Sequence, residues 1–211
     1  MGAMIRLHHL DASRSHRILW LLEELELEYE IVPYRRDRKT MLAPASLRAV
    51  HPLGKAPVVE EGGRVLAESG AIIEVMVERH GASRLAPPRG TPEWERYVYW
   101  LHYAEGSAMP PLLLKLVLSK MGPLGWPARG YVNGQLKLHL DYMQGELAKH
   151  AWFAGDAFSA ADIQMSFPVE AAVARAGGDA RPELARFLAR IHERPAYQRA
   201  VARGGPLEIL G

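Results

Sequence analysis

Glu68 and Ser69 stand side by side at the head of an apolar-periodic run over residues 71–80. A helix N-terminus carries unpaired N–H groups and partial positive charge, which makes it a seat for a carboxylate. Ser69 adds a hydroxyl to that seat, and Glu68 supplies an acceptor for an ammonium group. Upstream, Pro57 opens a short β-rich run, Val58-Val59. Proline cannot donate to a ladder, so it sits at a strand's first residue or at an edge. Ala56 before it is pushed toward extended dihedrals, and the Ala56–Pro57 bond is a candidate for the cis form. The N–H and C=O of that residue then point sideways, where an extended peptide can pair as an added strand. Taken singly, Ser69 is a helix cap and Pro57 a strand start. Together they describe a site for a small zwitterionic peptide.

Several elements must bring these residues to one place. Gly62-Gly63 reverse the chain after Val58-Val59, and residues 64–67 return as a strand leading straight into Glu68. Residues 4–9 alternate as a first strand, and Leu10-Asp11-Ala12-Ser13 read as a turn. From Arg14 onward Ile18, Leu21, Leu22 and Leu25 recur at helical spacing, a face made to pack on a sheet. Residues 29–34 read as a second strand, followed by the basic loop Arg35-Arg36-Asp37-Arg38-Lys39 and a short helix at 44–50. The order β-α-β-α-β-β-α, with a parallel start, fits a thioredoxin-like half. Residues 81–91 look like a linker.

Beyond the linker the pattern is helical to the end. Residues 92–109 form one amphipathic segment that Pro110-Pro111 is expected to kink or break. An apolar run covers 112–121, a Gly/Pro break 122–127, and a further helix 131–150. Ser159 and Asp162 have capping-box spacing, and Phe158 with Ile163 that of a hydrophobic staple. The expected fold class is α/β plus all-α. A thioredoxin-like domain (βαβ-ββα) spans 1–82, a linker 83–91, and an all-helical domain 92–211.

The succession Gly54-Lys55-Ala56-Pro57, a hairpin, then Glu68-Ser69-Gly70-Ala71-Ile72-Ile73 resembles the glutathione site of cytosolic glutathione S-transferases. The resemblance covers nearly the whole chain. Residues 158–163 are similar to the capping box of that family's buried helix, and Glu193-Arg194-Pro195-Ala196-Tyr197 to its C-terminal region. It implies that Ala56, beside a cis Pro57, pairs with the cysteinyl backbone of glutathione. Glu68 and Ser69 would hold the γ-glutamyl end and Lys55 the glycine carboxylate. Arg38 and Lys39 are further candidates there, although a solvated charge run is the plainer reading. Glu105 would reach the γ-glutamyl ammonium across a homodimer.

The run Leu10-Asp11-Ala12-Ser13-Arg14-Ser15-His16-Arg17 looks like the serine-type motif of bacterial and fungal members. Ser13 is the candidate hydroxyl and Ser15 the alternative, since one extra turn residue would exchange them. Otherwise Ser13 is an ordinary N-cap, contributing about 1 kcal/mol. A tyrosine-type enzyme would carry Tyr where His8, His9 and Leu10 stand. The absence of cysteine excludes a protein thiol, disulfides and thiolate metal sites. A free thiol of pKa ~8.5 is only a few per cent thiolate at pH 7. A charge-assisted hydrogen bond of roughly 1.5–3 kcal/mol lowers that value by about one to two units. The implied activity is conjugation of glutathione, the co-substrate, to small hydrophobic electrophiles, or reduction of organic peroxides. The electrophile would lie against Tyr103, Ser107, Met109 and Trp126. The alternative is a catalytically weak glutathione-binding regulatory module.

A net charge of +2 with interspersed signs carries no nucleic-acid footprint. No apolar run reaches membrane-span length, which points to a cytoplasmic protein without a membrane partner. His8 and His9 face opposite ways along a strand, so they form no metal pair, and no metal is expected.

Overall fold

The computed structural model describes residues 4–81 and 84–207. The alternating segment near the N-terminus forms β1 (Ile5–Leu10), parallel to β2 (Tyr29–Tyr34) with Ile5 opposite Tyr29 and Leu10 opposite Tyr34. The connection between them is α1 (Ser15–Glu24), as parallel pairing requires. After the short α2 (Ser46–Val50), β3 (Val58–Glu61) runs antiparallel to β1, and β4 (Arg64–Ala67) antiparallel to β3. The four strands lie in the order β2-β1-β3-β4. Gly62 and Gly63, at φ 55° and 75°, make the tight turn of the β3–β4 hairpin, which their missing side chains allow. α3 (Ser69–His80) follows β4 directly and packs on it and on α1.

The core on one face of the sheet is Leu7 and Val59 with Ile72, Ile73 and Met76 of α3 and Ile18, Leu21 and Leu22 of α1, all fully buried, while Val58 is fully buried on the opposite face. Yet α1 also buries Leu19 and Trp20, so it has apolar surface left over after meeting the sheet. That second face is covered by α9 (Pro195–Gly204). Tyr197 meets Trp20 edge-on at 5.2 Å between ring centroids. The two helices are also joined by charge. Arg194 forks onto the Glu24 carboxylate at 2.6 and 2.9 Å, and Arg199 and Arg203 reach Glu23 at 2.7 and 3.0 Å. Burial raises the Glu23 carboxyl, but the bonds from Tyr29, Arg199 and Arg203 outweigh it and hold it below the usual range.

The chain falls into two compact units, Met1–Arg84 with His192–Leu210, and Leu85–Ile191. The expected division put everything after residue 91 in one helical domain, whereas α9 belongs with the sheet. Its reason is the second apolar face of α1. The expected boundary at 82/83 lies outside the described residues; residues 84–91 form neither helix nor strand.

The second unit contains α4 (Pro92–Tyr103), a π-helical turn at Ala104–Ala108, α5 (Met109–Lys120), a 3-10 turn at Gly122–Gly125, α6 (Trp126–Leu147), α7 (Ala160–Arg175) and α8 (Pro182–His192). Pro110 and Pro111 do not break the chain as expected. They occupy the first turn of α5, where a missing N–H costs nothing, and the irregularity falls one turn earlier in the π-helical turn. The capping box at α7 is formed. Asp162, fully buried, accepts from Ser159 N at 2.8 Å and from Phe153 N at 2.9 Å. Burial pushes its carboxyl up to about 6 against the pull of those donors.

Candidate functional site

The antiparallel registers decide where the predicted residues meet. His8 lies opposite Val58, and Val58 opposite Ala67. The chain leaving β1, the chain entering β3 and the chain leaving β4 therefore share one end of the sheet. That end carries the turn with Ser13, the Ala56–Pro57 pair and the Glu68–Ser69 pair. The Ala56–Pro57 bond is cis, with Pro57 buried and Ala56 half-buried just ahead of the first paired residue of β3. Gly54 prepares this entry at φ +57°, and a Cβ there would lie 2.6 Å from Arg48 Cγ. Lys55 is exposed beside it. Lys39 is also exposed, its backbone N–H held by Asp37 at 3.0 Å.

At the head of α3, Glu68 is exposed and Ser69 is only 4% exposed. Glu68 adopts φ 70°, a left-handed conformation that costs a non-glycine residue of order 1–3 kcal/mol. Ala12, immediately before Ser13, does the same at φ 47°. Non-glycine strain thus sits next to both serines, the pattern expected where backbone geometry serves a ligand. Arg17, 1% exposed on α1, donates from Nη1 to Ser69 Oγ at 3.2 Å. A buried cation and a helix N-terminus therefore converge on one hydroxyl, and both favour an anion.

Ser13 is not the cap of α1. The cap position is Arg14, without a side-chain cap bond. Ser13 Oγ instead donates to Leu10 O at 2.8 Å, accepts from Ser15 N at 3.2 Å and lies 2.7 Å from Ser15 Oγ. The two candidate hydroxyls are thus one hydrogen-bonded pair. They differ in access: Ser13 is 6% exposed and Ser15 wholly buried. Ser15 Oγ is held by Leu10 N–H at 3.2 Å and lies 3.0 Å from His9 Nδ1. Arg36 braces the turn from the β2 side, donating to Asp11 O at 3.1 Å and Ala12 O at 3.2 Å.

In the helical unit, Tyr103 and Met109 are buried, Ser107 is half-buried in the π-helical turn, and Trp126 is exposed at the start of α6. Tyr103 OH lies 2.6 Å from His139 Nδ1. Burial raises the phenol and lowers the imidazole, so the phenol donates and the ring accepts. Glu105 is half-buried in the same turn as Ser107.

Residues 13–79 match the family description "Glutathione S-transferase, N-terminal domain", and residues 126–195 match "Glutathione S-transferase, C-terminal domain". Glutathione S-transferase 1 of Saccharomyces cerevisiae is 36% identical over 92% of this chain and 92% of its own length. The chain belongs to the glutathione S-transferase family. Glutathione S-transferase 3 of Schizosaccharomyces pombe is 41% identical over 80% of this chain and 74% of its own. A crystal structure of a glutathione S-transferase from Actinobacillus pleuropneumoniae superposes with a TM-score of 0.90 at 38% identity, covering 98% of this chain and 95% of that one. The observed arrangement is that of a glutathione S-transferase, a thioredoxin-like sheet with its helices and an all-helical region, and glutathione is the family's substrate.

Three parts of this glutathione S-transferase site went unremarked in the sequence. Arg17 was visible only as a spacing from Ser13, and its pairing with Ser69 needs the tertiary fold. Arg36 sat in a run of basic residues that looked solvated. His9 was set aside with its neighbour, although the alternation that separates them sends His9 to the α1 side of the sheet. Among the described residues no group of three metal-ligating side chains is present, and no helix is long and apolar enough to cross a membrane.

Proposed function

We infer that this chain is a serine-type glutathione transferase that holds the glutathione thiolate under Ser13 Oγ. It presents the thiolate to small hydrophobic electrophiles, or to organic peroxides, as a cytoplasmic homodimer. The observation that carries the inference is the convergence at one sheet end of Ser13, cis Ala56–Pro57 and Glu68–Ser69, with Arg17 bonded to Ser69. In this reading the Ala56 backbone pairs with the cysteinyl residue. Ser69 and the N-terminus of α3 take the γ-glutamyl carboxylate beside Arg17, and Glu68 takes the ammonium group. Lys55, with Lys39, faces the glycine carboxylate, and Glu105 of a second copy joins the ammonium side. Tyr103, Ser107, Met109 and Trp126 of the helical unit are the residues proposed for the electrophile.

Ser13 supports this role better than Ser15 because it alone of the pair keeps some exposure. Ser13 Oγ accepts from the Ser15 N–H and gives its own proton to Leu10 O at 2.8 Å, so in this reading the hydroxyl turns from that carbonyl to the thiolate when glutathione binds. One such bond, worth roughly 1.5–3 kcal/mol, moves the thiol from about 8.5 to about 7. The N-terminus of α1 adds a smaller push in the same direction.

The test is a steady-state assay of purified protein with glutathione and a chloro-nitroaromatic, and separately with an organic hydroperoxide, beside calorimetry of glutathione alone. Turnover with either partner is the expected result. Tight glutathione binding with no turnover for a broad electrophile set would leave a binding module instead.

A further inference from the structure

The hydrogen-bonded pair Ser13–Ser15 does not end at Ser15. It continues to His9 Nδ1 at 3.0 Å, and His9 Nε2 lies 3.2 Å from the carbonyl oxygen of Gly204 in α9. A carbonyl only accepts, so Nε2 carries a proton and donates it to Gly204. In the neutral ring Nδ1 is therefore an acceptor for the Ser15 hydroxyl, whose other acceptor is Leu10 O at 3.1 Å. The Ser15 oxygen, already accepting from Leu10 N–H, is turned toward Ser13 Oγ 2.7 Å away. A line of contacts runs from Ser13, 6% exposed, to an imidazole held at its far side, complete once the Ser13 proton turns from Leu10 O to Ser15 Oγ.

We propose that His9 takes up the proton of the glutathione thiol, receiving it through Ser13 and Ser15. The inference rests on the Ser13 reading above. The thiol S–H donates to Ser13 Oγ, Ser13 to Ser15 Oγ, and Ser15 to His9 Nδ1. One shift along the line breaks the S–H bond and forms an N–H bond at Nδ1, while each serine gives up one proton and gains another. No electrons change owner. Every hydrogen bond survives with its direction reversed, and the thiolate ends as acceptor of the Ser13 O–H. Once sulfur has bonded to the electrophile, the Nδ1 proton returns along the same line to water at the sulfur's place. His9 is a positioning residue that also stores the proton; it touches no substrate.

The surroundings suit this task. Burial lowers the His9 ring below its ordinary value, opposed by the Gly204 carbonyl and the charge of Asp11, so the ring is neutral at pH 7 before glutathione binds and holds the proton only against the charge of the thiolate. The groups turned to it are Ser15 from α1, the Gly204 carbonyl from α9 and, through its charge, Asp11 from the turn after β1. A thiolate at the other end of the line favours the imidazolium. Gly204 is the residue that permits the approach, since a Cβ there would sit 3.2 Å from His9 Nε2.

The experiment counts protons. Glutathione is titrated into the intact protein at pH 7 in buffers of different ionisation heat, while thiolate is measured by its ultraviolet absorbance. Wild type is expected to release well under one proton per thiolate formed. His9→Asn keeps an acceptor near the Nδ1 position but cannot be protonated, and it is expected to release about one proton per thiolate. Its kcat/KM at pH 7 should fall about tenfold, the equivalent of about one unit on the thiol pKa. Ser15→Ala cuts the line while keeping the His9 imidazole and its Gly204 bond, and should behave as His9→Asn does. Wild-type release of one proton per thiolate overturns the proposal, as does unchanged proton release in both variants. Glutathione bound with no thiolate absorbance in wild type would overturn the Ser13 reading itself, and the relay with it.

Discussion

Arg17 Nη1 donates to Ser69 Oγ at 3.2 Å, joining the first turn of the first helix to the N-terminus of the third. Both residues are buried, so the guanidinium stands where water screens it poorly. The serine hydroxyl and the helix N–H groups are thereby gathered around one fixed positive charge. That arrangement favours negative charge at the same point.

Arg17→Lys keeps the charge but loses the planar fork that fits a carboxylate. The expected result is glutathione affinity weakened roughly tenfold or more, the equivalent of one charge-assisted hydrogen bond, with kcat changed much less. Calorimetry alongside steady-state kinetics checks it. An unchanged glutathione affinity would leave Arg17 as a packing residue.

Gly204→Ala tests how closely the last helix approaches the first. A Cβ at this position would lie 2.2 Å from Leu19 Cδ2, a buried side chain with little room to yield. Overpacking of this kind costs about 1–3 kcal/mol. For a chain of this size the melting temperature should fall by about 2–10 °C. A thermal melt of the variant is sufficient.

Glu23 sets the acid limit of the same contact. Its folded-state pKa is depressed by Tyr29, Arg199 and Arg203 despite the opposing effect of burial. The stability it contributes is therefore complete above the ordinary carboxylate pKa and is lost as pH falls through the depressed value. Denaturant melts between about pH 6 and pH 3 should show stability declining toward acid. Glu23→Gln should start less stable at pH 6 and decline less steeply.

The features legible in the sequence were those written in local chemistry. Pro57 ahead of Val58-Val59, the Gly62-Gly63 reversal and Glu68-Ser69 before a helix each specify their conformation within a few residues. The Ser159–Asp162 box does so too, and all four took the expected form. What escaped was written across distance. The site's hidden end joins His9 to Gly204, and the helix clamp joins Glu24 to Arg194, pairs no window of sequence brings together. Pro110-Pro111 misled for the opposite reason. Local rules give proline two outcomes in a helix, and only the position of the preceding π-helical turn shows which applies.

The central claim is that the Ser13 hydroxyl stabilises the sulfur anion of bound glutathione. It is met most directly by the thiol pKa of the complex, followed by thiolate absorbance across pH for wild type and for Ser13→Ala. The wild-type value should lie about one to two units below that of free glutathione, and the alanine variant should return most of the way to ~8.5 while still binding. Equal pKa values in the two proteins, both depressed, would contradict it.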